Sequence, residues 1–150
     1  MALRQLRFFD DEILRKKCKE VKVIDDKIRE LLDDMAETMY HTETGAGLAV
    51  CQVGILKRLV VIDIGNGLMK LVNPKIIGTS GVQECIEGCL SFPNRWGKTI
   101  RPQKVTVQAL NEYGDEIMIT GEAELAKCLC HELDHLDGIV FIDKVIEFID

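Results

Sequence analysis

The run His131-Glu132-Leu133-Asp134-His135 constrains this chain more than any other feature of it. Four residues of helix turn through about 400°, so two histidines at that spacing project from nearly one face and can chelate a single divalent ion. The glutamate directly after the first histidine can reach a water on that ion without itself being a ligand. The helix is marked independently: Gly121 precedes it, Glu122 and Glu124 suit its positive N-terminal end, and Gly138 suits its stop. Two of the three histidines in the chain fall here, which weighs against a surface helix with incidental imidazoles. His41 has no such company and reads as a surface or helix-end residue.

Two imidazoles do not make a tight site, and the third donor decides its kind. In the extended HExxHxxGxxH pattern Gly138 is present, but position 141 is Phe141 rather than histidine. Glu147, beyond a glycine break, is a poor substitute, so the ligand has to come from upstream. Glu87-Gly88-Cys89-Leu90-Ser91, followed by Phe92-Pro93 where a strand would be ending, offers Cys89. Taken alone, such a cysteine is more often a small buried apolar residue. Beside the helix it completes a Cys/His/His set that leaves a position for water, whose pKa the ion lowers to about 7.

Gly45-Ala46-Gly47-Leu48-Ala49-Val50-Cys51-Gln52 is the third element. It is not a phosphate loop, because it lacks the following Gly-Lys-Ser/Thr and any basic neighbour. Its paired glycines let a substrate backbone approach closely and pair as a strand, and Gln52 offers a side-chain NH to an oxyanion. Without the metal motif the segment would read as a simple turn followed by a polar strand residue.

Composition sets the background. At 150 residues, 47% hydrophobic and with three prolines, the chain reads as one ordinary domain over residues 1–150 that buries its own core without disulfides. A net charge of −6 with no basic run argues against nucleic-acid or anionic-membrane surfaces. No apolar stretch is long enough to span a bilayer. The basic start, Met1 to Arg7, meets charges again at Asp10 to Glu12 before any apolar segment, so export is not indicated. Cys18, Cys51, Cys85, Cys89, Cys128 and Cys130 therefore read as reduced thiols in a cytoplasm.

Ile28, Leu31, Leu32, Met35 and Met39 fall at helical spacing and predict an amphipathic helix from about Asp25 to Thr42. A strand-like run follows from Leu48, then a short buried strand at Leu59-Val60-Val61-Ile62. A turn at Gly65-Asn66-Gly67 leads to a hairpin partner over Leu68 to Val72, and a further strand runs from Lys75 towards Glu84. Alternation at Val105, Val107 and Ala109, a turn at Asn111 to Gly114, and Ile117 with Ile119 give a second hairpin. The fold class is α+β: mainly antiparallel sheets packed around the late metal-binding HExxH helix, with an N-terminal amphipathic helix. Arg95 and Trp96, just past Pro93, read as loop packing and are left out of the site.

Together the three segments resemble peptide deformylase. That family carries GxGLAAxQ, EGCLS and QHExDHLxG in this order, and here they stand as Gly45 to Gln52, Glu87 to Ser91 and Cys130 to Gly138. The likeness extends to Asp11-Glu12-Ile13-Leu14-Arg15, to Arg101-Pro102 with Val105-Thr106-Val107, and to Gly138 through Asp143.

The resemblance implies hydrolytic removal of the formyl group from formyl-methionyl nascent peptides, with Cys89, His131 and His135 holding one divalent ion. Ferrous iron would be native, and Zn2+ or Ni2+ possible by coordination chemistry. A metal-bound hydroxide would attack the formyl carbon, and Glu132 would pass the water proton to the departing amine, a role worth roughly 10² to 10⁴ in rate. The Leu90 NH and the Gln52 amide would stabilise the tetrahedral oxygen. Gly45, Ala46, Gly47, Gly88 and Cys128 would bind substrate.

Val50 and Cys130 depart from the family pattern, where alanine and glutamine are usual. Cys130 reads as a core thiol or an outer support, since it lies about 100° from His131 around the helix. Glu124 and Lys127 share the histidine face where the resemblance implies an apolar methionine pocket. They read either as an i,i+3 pair or as a more polar pocket with altered side-chain preference. The chain ends at Asp150, and some relatives have a longer C-terminal helix used at the ribosome, so ribosome contact is not expected. Two other readings are a metallopeptidase, disfavoured by Phe141, and a structural zinc module closed by Cys85 or Cys130. The second gives Glu132 and Gln52 nothing to do.

Overall fold

Leu59-Val60-Val61-Ile62 is apolar without interruption, which suits a strand covered on both faces. The computed structural model describes residues 2–42 and 45–149 and shows such a strand; Met1 and Asp150, which bound the terminal readings above, and Glu43 and Thr44 lie outside the described residues. Leu59 and Val61 pack with the helix α1 (Asp26–Tyr40), whereas Val60 and Ile62 pack with α2 (Glu124–Leu136). The sheet between the helices has the order β1-β2-β3-β6-β7. Its strands are β1 (Gly47–Ala49), β2 (Leu59–Ile62), β3 (Met69–Ser80), β6 (Lys104–Leu110) and β7 (Glu116–Glu122). A smaller sheet has the order β4-β5-β8, from β4 (Gln83–Cys89), β5 (Phe92–Arg101) and β8 (Glu147–Phe148). Mainly antiparallel sheets were expected, and among the described residues every ladder between these strands is antiparallel, with one isolated parallel bridge between Lys19 and Lys57.

Local chemistry explains most boundaries. The Asp25 carboxylate accepts from the Ile28 NH at 3.1 Å and caps α1, whose stripe from Ile28 to Met39 is buried. His41 ends that helix in solvent. The expected break at Asn73-Pro74 is instead a bulge inside β3: the register shifts between Val72 and Lys75, and Asn73 has φ +51°. Its side chain binds the backbone of Val21 in both directions, at 2.8 and 2.9 Å. A strand does end at Cys89, but Phe92 opens another, β5, where a loop was expected. Residues Pro93 to Trp96 are exposed, so β5 begins without the alternation that marks a strand.

Glu122 belongs to β7 rather than to the first turn of α2, because Ala123, with φ +53°, separates them. Glu124 alone of that acidic pair lies in the first turn. At the other end Gly138 has φ +76°, and a Cβ there would strike the Arg15 carbonyl oxygen, so glycine is required twice over. Arg58 Nη1 donates to the Leu136 carbonyl at 3.1 Å and to Asp137 Oδ1 at 3.0 Å, capping the last turn. Among the described residues no helix is long and apolar enough to cross a membrane.

Candidate metal centre

α2 is buried on nearly every side from Cys128 to Leu136, and this unusual placement brings its histidines to the inside of the molecule. One donor atom from each of Cys89, His131 and His135 lies within 4.8 Å of the others, drawing β4 and α2 together. Cys89 Sγ is 3.4 Å from His135 Nε2. Among the described residues neither Cys85 nor Cys130 joins the group, so no fourth thiol closes it. Cys130 packs in the core with Val105 and Leu129, and burial pushes its thiol up to about 11.

One thiolate and two imidazoles form a set that suits a single divalent transition ion and leaves room for a further ligand. The tautomer of His131 is prepared for such a role. Its Nδ1 lies 2.8 Å from Glu87 Oε1, so the ring donates there and presents Nε2 to the group. Glu87, almost fully buried, also receives Arg101 Nε at 2.7 Å and Nη2 at 2.9 Å, together with the Thr99 hydroxyl. Burial would raise its pKa, but Arg101 and His131 outweigh it and hold the carboxyl far below the usual range. Arg101 Nη1 reaches Asp134 Oδ2 at 2.7 Å, so one guanidinium ties β4 to α2.

Glu132 faces β1. A Cβ on Gly47 would lie 2.7 Å from Glu132 Oε2, so that glycine makes space for the carboxylate. Burial raises the Glu132 pKa to about 7, against the lowering effect of His131. Its Oε1 is buried with no hydrogen-bond partner among the described residues. Gln52 lies on a 3-10 turn (Val50–Val53) rather than on a strand, and is 1% exposed. Its Oε1 accepts from the Ala49 NH at 3.0 Å, while Nε2 donates to Ser91 Oγ at 3.1 Å and to Cys89 Sγ at 3.5 Å. The amide is thereby held against the thiol.

Cys89, His131, Glu132 and Gln52 line a cleft of about 490 Å³ between β1 and β4, each an edge strand of its sheet. Gly45, Ala46, Gly47, Gly88, Leu90 and Cys128, all expected at the site, border it. Cys128 Sγ lies 3.8 Å from the Ala46 carbonyl, and burial pushes its thiol well up. Arg95 and Trp96, set aside as packing, border it as well. The indole sits where a Gly88 Cβ would be, 2.7 Å from that position. The Glu87–Arg101–Asp134 network is a further feature that spacing alone did not find.

Comparisons with known proteins identify the family. Residues 3–148 match the family described as polypeptide deformylase. The chain is 62% identical to peptide deformylase 2 of Clostridium acetobutylicum over 99% of each chain. It is 59% identical to a peptide deformylase of Acetivibrio thermocellus, over 100% of this chain and 88% of that one. The crystal structure of peptide deformylase from Thermotoga maritima superimposes with a TM-score of 0.93 at 37% identity, covering 95% of this chain and 97% of that one. The chain therefore belongs to the polypeptide deformylase family, metal-dependent hydrolases that release the formyl group from the N-termini of formylated peptides.

Proposed function

We propose that Cys89, His131 and His135 hold one divalent ion, ferrous iron in the native protein with zinc or nickel as workable substitutes. Around it Glu132, Gln52 and the Leu90 NH carry out hydrolysis of formyl-methionyl nascent peptides. The observation that carries this reading is the buried Glu132 carboxylate beside the three-donor group, with one oxygen unpartnered among the described residues. When bound, the ion supplies Lewis acidity, which lowers the pKa of water and polarises the formyl oxygen.

The remaining chemistry falls to the chain. Glu132 takes a proton from the attacking water and returns it to the amide nitrogen as the C–N bond breaks, releasing formate and a free amine. One N–H of Gln52 Nε2, released from its contact with the Cys89 sulfur, and the NH of Leu90, the residue after Cys89, donate to the oxygen as it gains charge. The peptide lies as an added strand between β1 and β4, where Gly45, Ala46, Gly47 and Gly88 let its backbone approach. Cys128 lines the wall met by the first side chain. The same reading treats residues 1–150 as one catalytic domain acting in the cytoplasm, without nucleic-acid or membrane partners.

The test is formate release from formyl-Met-Ala-Ser by protein purified without oxygen, with metal content measured on the same samples. Glu132→Ala is expected to keep one ion per chain and to lose at least about 10² in kcat. A variant with wild-type turnover removes Glu132 from the chemistry. Iron in the active preparation supports it as the native ion.

A further inference from the structure

Along α2 from the histidines, the cleft carries a charged pair that a thioether side chain does not require. Lys127 and Glu124 lie about one and two turns upstream of His131, and both border the cleft. Lys127 Nζ is 3.0 Å from Glu124 Oε1 and donates across the cleft to the Ile86 carbonyl of β4 at 3.4 Å. The Glu124 side chain is 60% exposed, so the pair adds little to stability, and stability does not explain its position. An ammonium has three N–H donors. With two partners among the described residues, Lys127 retains one donor for the cleft.

Reach decides which substrate atom that donor meets. In a formylated peptide the formyl carbon, the amide nitrogen and the first Cα are successive atoms. With the formyl group at Cys89, His131 and His135, the first side chain therefore departs close to that group. The Lys127 Cα lies four residues, about 6 Å, up the helix axis from that of His131, and its side chain leans further upstream to meet Glu124, so an unbranched side chain lying along α2 points its far end at the ammonium. Ile86, Leu90 and Cys128 supply apolar wall beside it.

We propose that Lys127, steered by Glu124, is a specificity-determining donor for an acceptor at the end of the first side chain, and that the enzyme deformylates formyl-methionine sulfoxide peptides as well as formyl-methionyl ones. The inference rests on the function proposed above. A sulfoxide keeps the length of methionine but exchanges a weakly accepting sulfur for a polar S=O group. An apolar wall would leave that oxygen desolvated and unpartnered. The third N–H of Lys127 satisfies it. The reaction is otherwise the same: water is consumed, the formyl C–N bond breaks, and the sulfoxide oxygen stays on its sulfur.

The test compares kcat/KM for formyl-Met-Ala-Ser and formyl-Met(O)-Ala-Ser with the metal-loaded enzyme, its Lys127→Met variant and its Lys127→Arg variant. The wild type is expected to process the two peptides within about tenfold of each other. Lys127→Met, which keeps a good helix former, lowers the sulfoxide-to-thioether ratio at least about tenfold, chiefly through KM for the sulfoxide. Lys127→Arg, which keeps a donor, retains most of the ratio. A wild type that discriminates against the sulfoxide by more than about a hundredfold overturns the proposal, as does a Lys127→Met ratio equal to that of the wild type. Absence of formate from both peptides rejects the underlying function instead.

Discussion

The two helices are close in length, fifteen and thirteen residues, but they are held in different ways. α1 carries a capping aspartate at its start and one apolar stripe turned inward, with Asp26, Lys27 and Glu30 outward. α2 starts from Ala123, at φ +53° and with no side-chain cap, and turns His131, Glu132 and His135 into the protein while Glu124 stays exposed. Local signals account for α1. The helix bearing the histidines is fixed by tertiary contacts: the sheet beneath it, Arg58 at its last turn, and the Glu87–Arg101 pair that grips His131 and Asp134. Rigid placement of donors from two separate elements depends on those contacts more than on helix propensity.

Arg101→Leu tests that contrast with the largest expected effect on stability. It leaves the buried Glu87 carboxylate without its principal cation and frees Asp134, which predicts a loss of about 3–5 kcal/mol. Through His131 it also weakens metal retention by about 10- to 100-fold. Urea unfolding of the metal-loaded protein, with competition against a chelator, measures both. A loss in stability under about 1 kcal/mol would show that the sheet alone holds α2. Asp25→Ala is the counterpart at α1. Removing the cap is expected to cost about 1 kcal/mol, read by the same urea midpoint, with formate release unaltered because the residue is remote from the cleft. A fall in kcat for this variant would mean that the two helices are not independent.

The same contrast governs what could be read from the residues in advance. The α1 stripe, the β6–β7 hairpin and the shared face of His131 and His135 follow from periodicity within single segments, and each was found. The β5 strand was not, because its exposed start, Pro93 to Trp96, shows no alternation, and β8 is only two residues long. Glu87 and Arg101 escaped because their pairing crosses from one strand to another. A signal was available. Cys85, Glu87 and Cys89 fall on alternate positions of one strand, so a strand that turns Cys89 towards the histidines also turns Glu87 inward, and a buried carboxylate requires a cation. Trp96 bordering the cleft could not be inferred, because it depends on the indole crossing β4 over Gly88.

The smallest effect is expected where α1 meets the N-terminal segment, and it depends on pH. Asp34, buried on α1, accepts from the Ala2 NH at 2.7 Å and pairs with Arg4 at 2.8 Å. Burial would raise the Asp34 pKa, but the Ala2 NH and the Arg4 guanidinium outweigh it and hold the carboxyl below its ordinary value. A folded-state pKa below the unfolded one adds stability that is fully present above the unfolded value of about 3.9 and is lost as pH falls through the folded value. Arg4 is partly exposed, so solvent screens the pair. Asp34→Asn should therefore cost less than about 1 kcal/mol at neutral pH, and its difference from the wild type should narrow as pH is lowered from about 5 to below 3. Urea midpoints across that range measure the gap. A gap that stays constant with pH would assign the role of Asp34 to shape rather than charge, and would leave the N-terminal segment docked on α1 by Thr38 Oγ1, which accepts from the Arg4 NH at 2.9 Å.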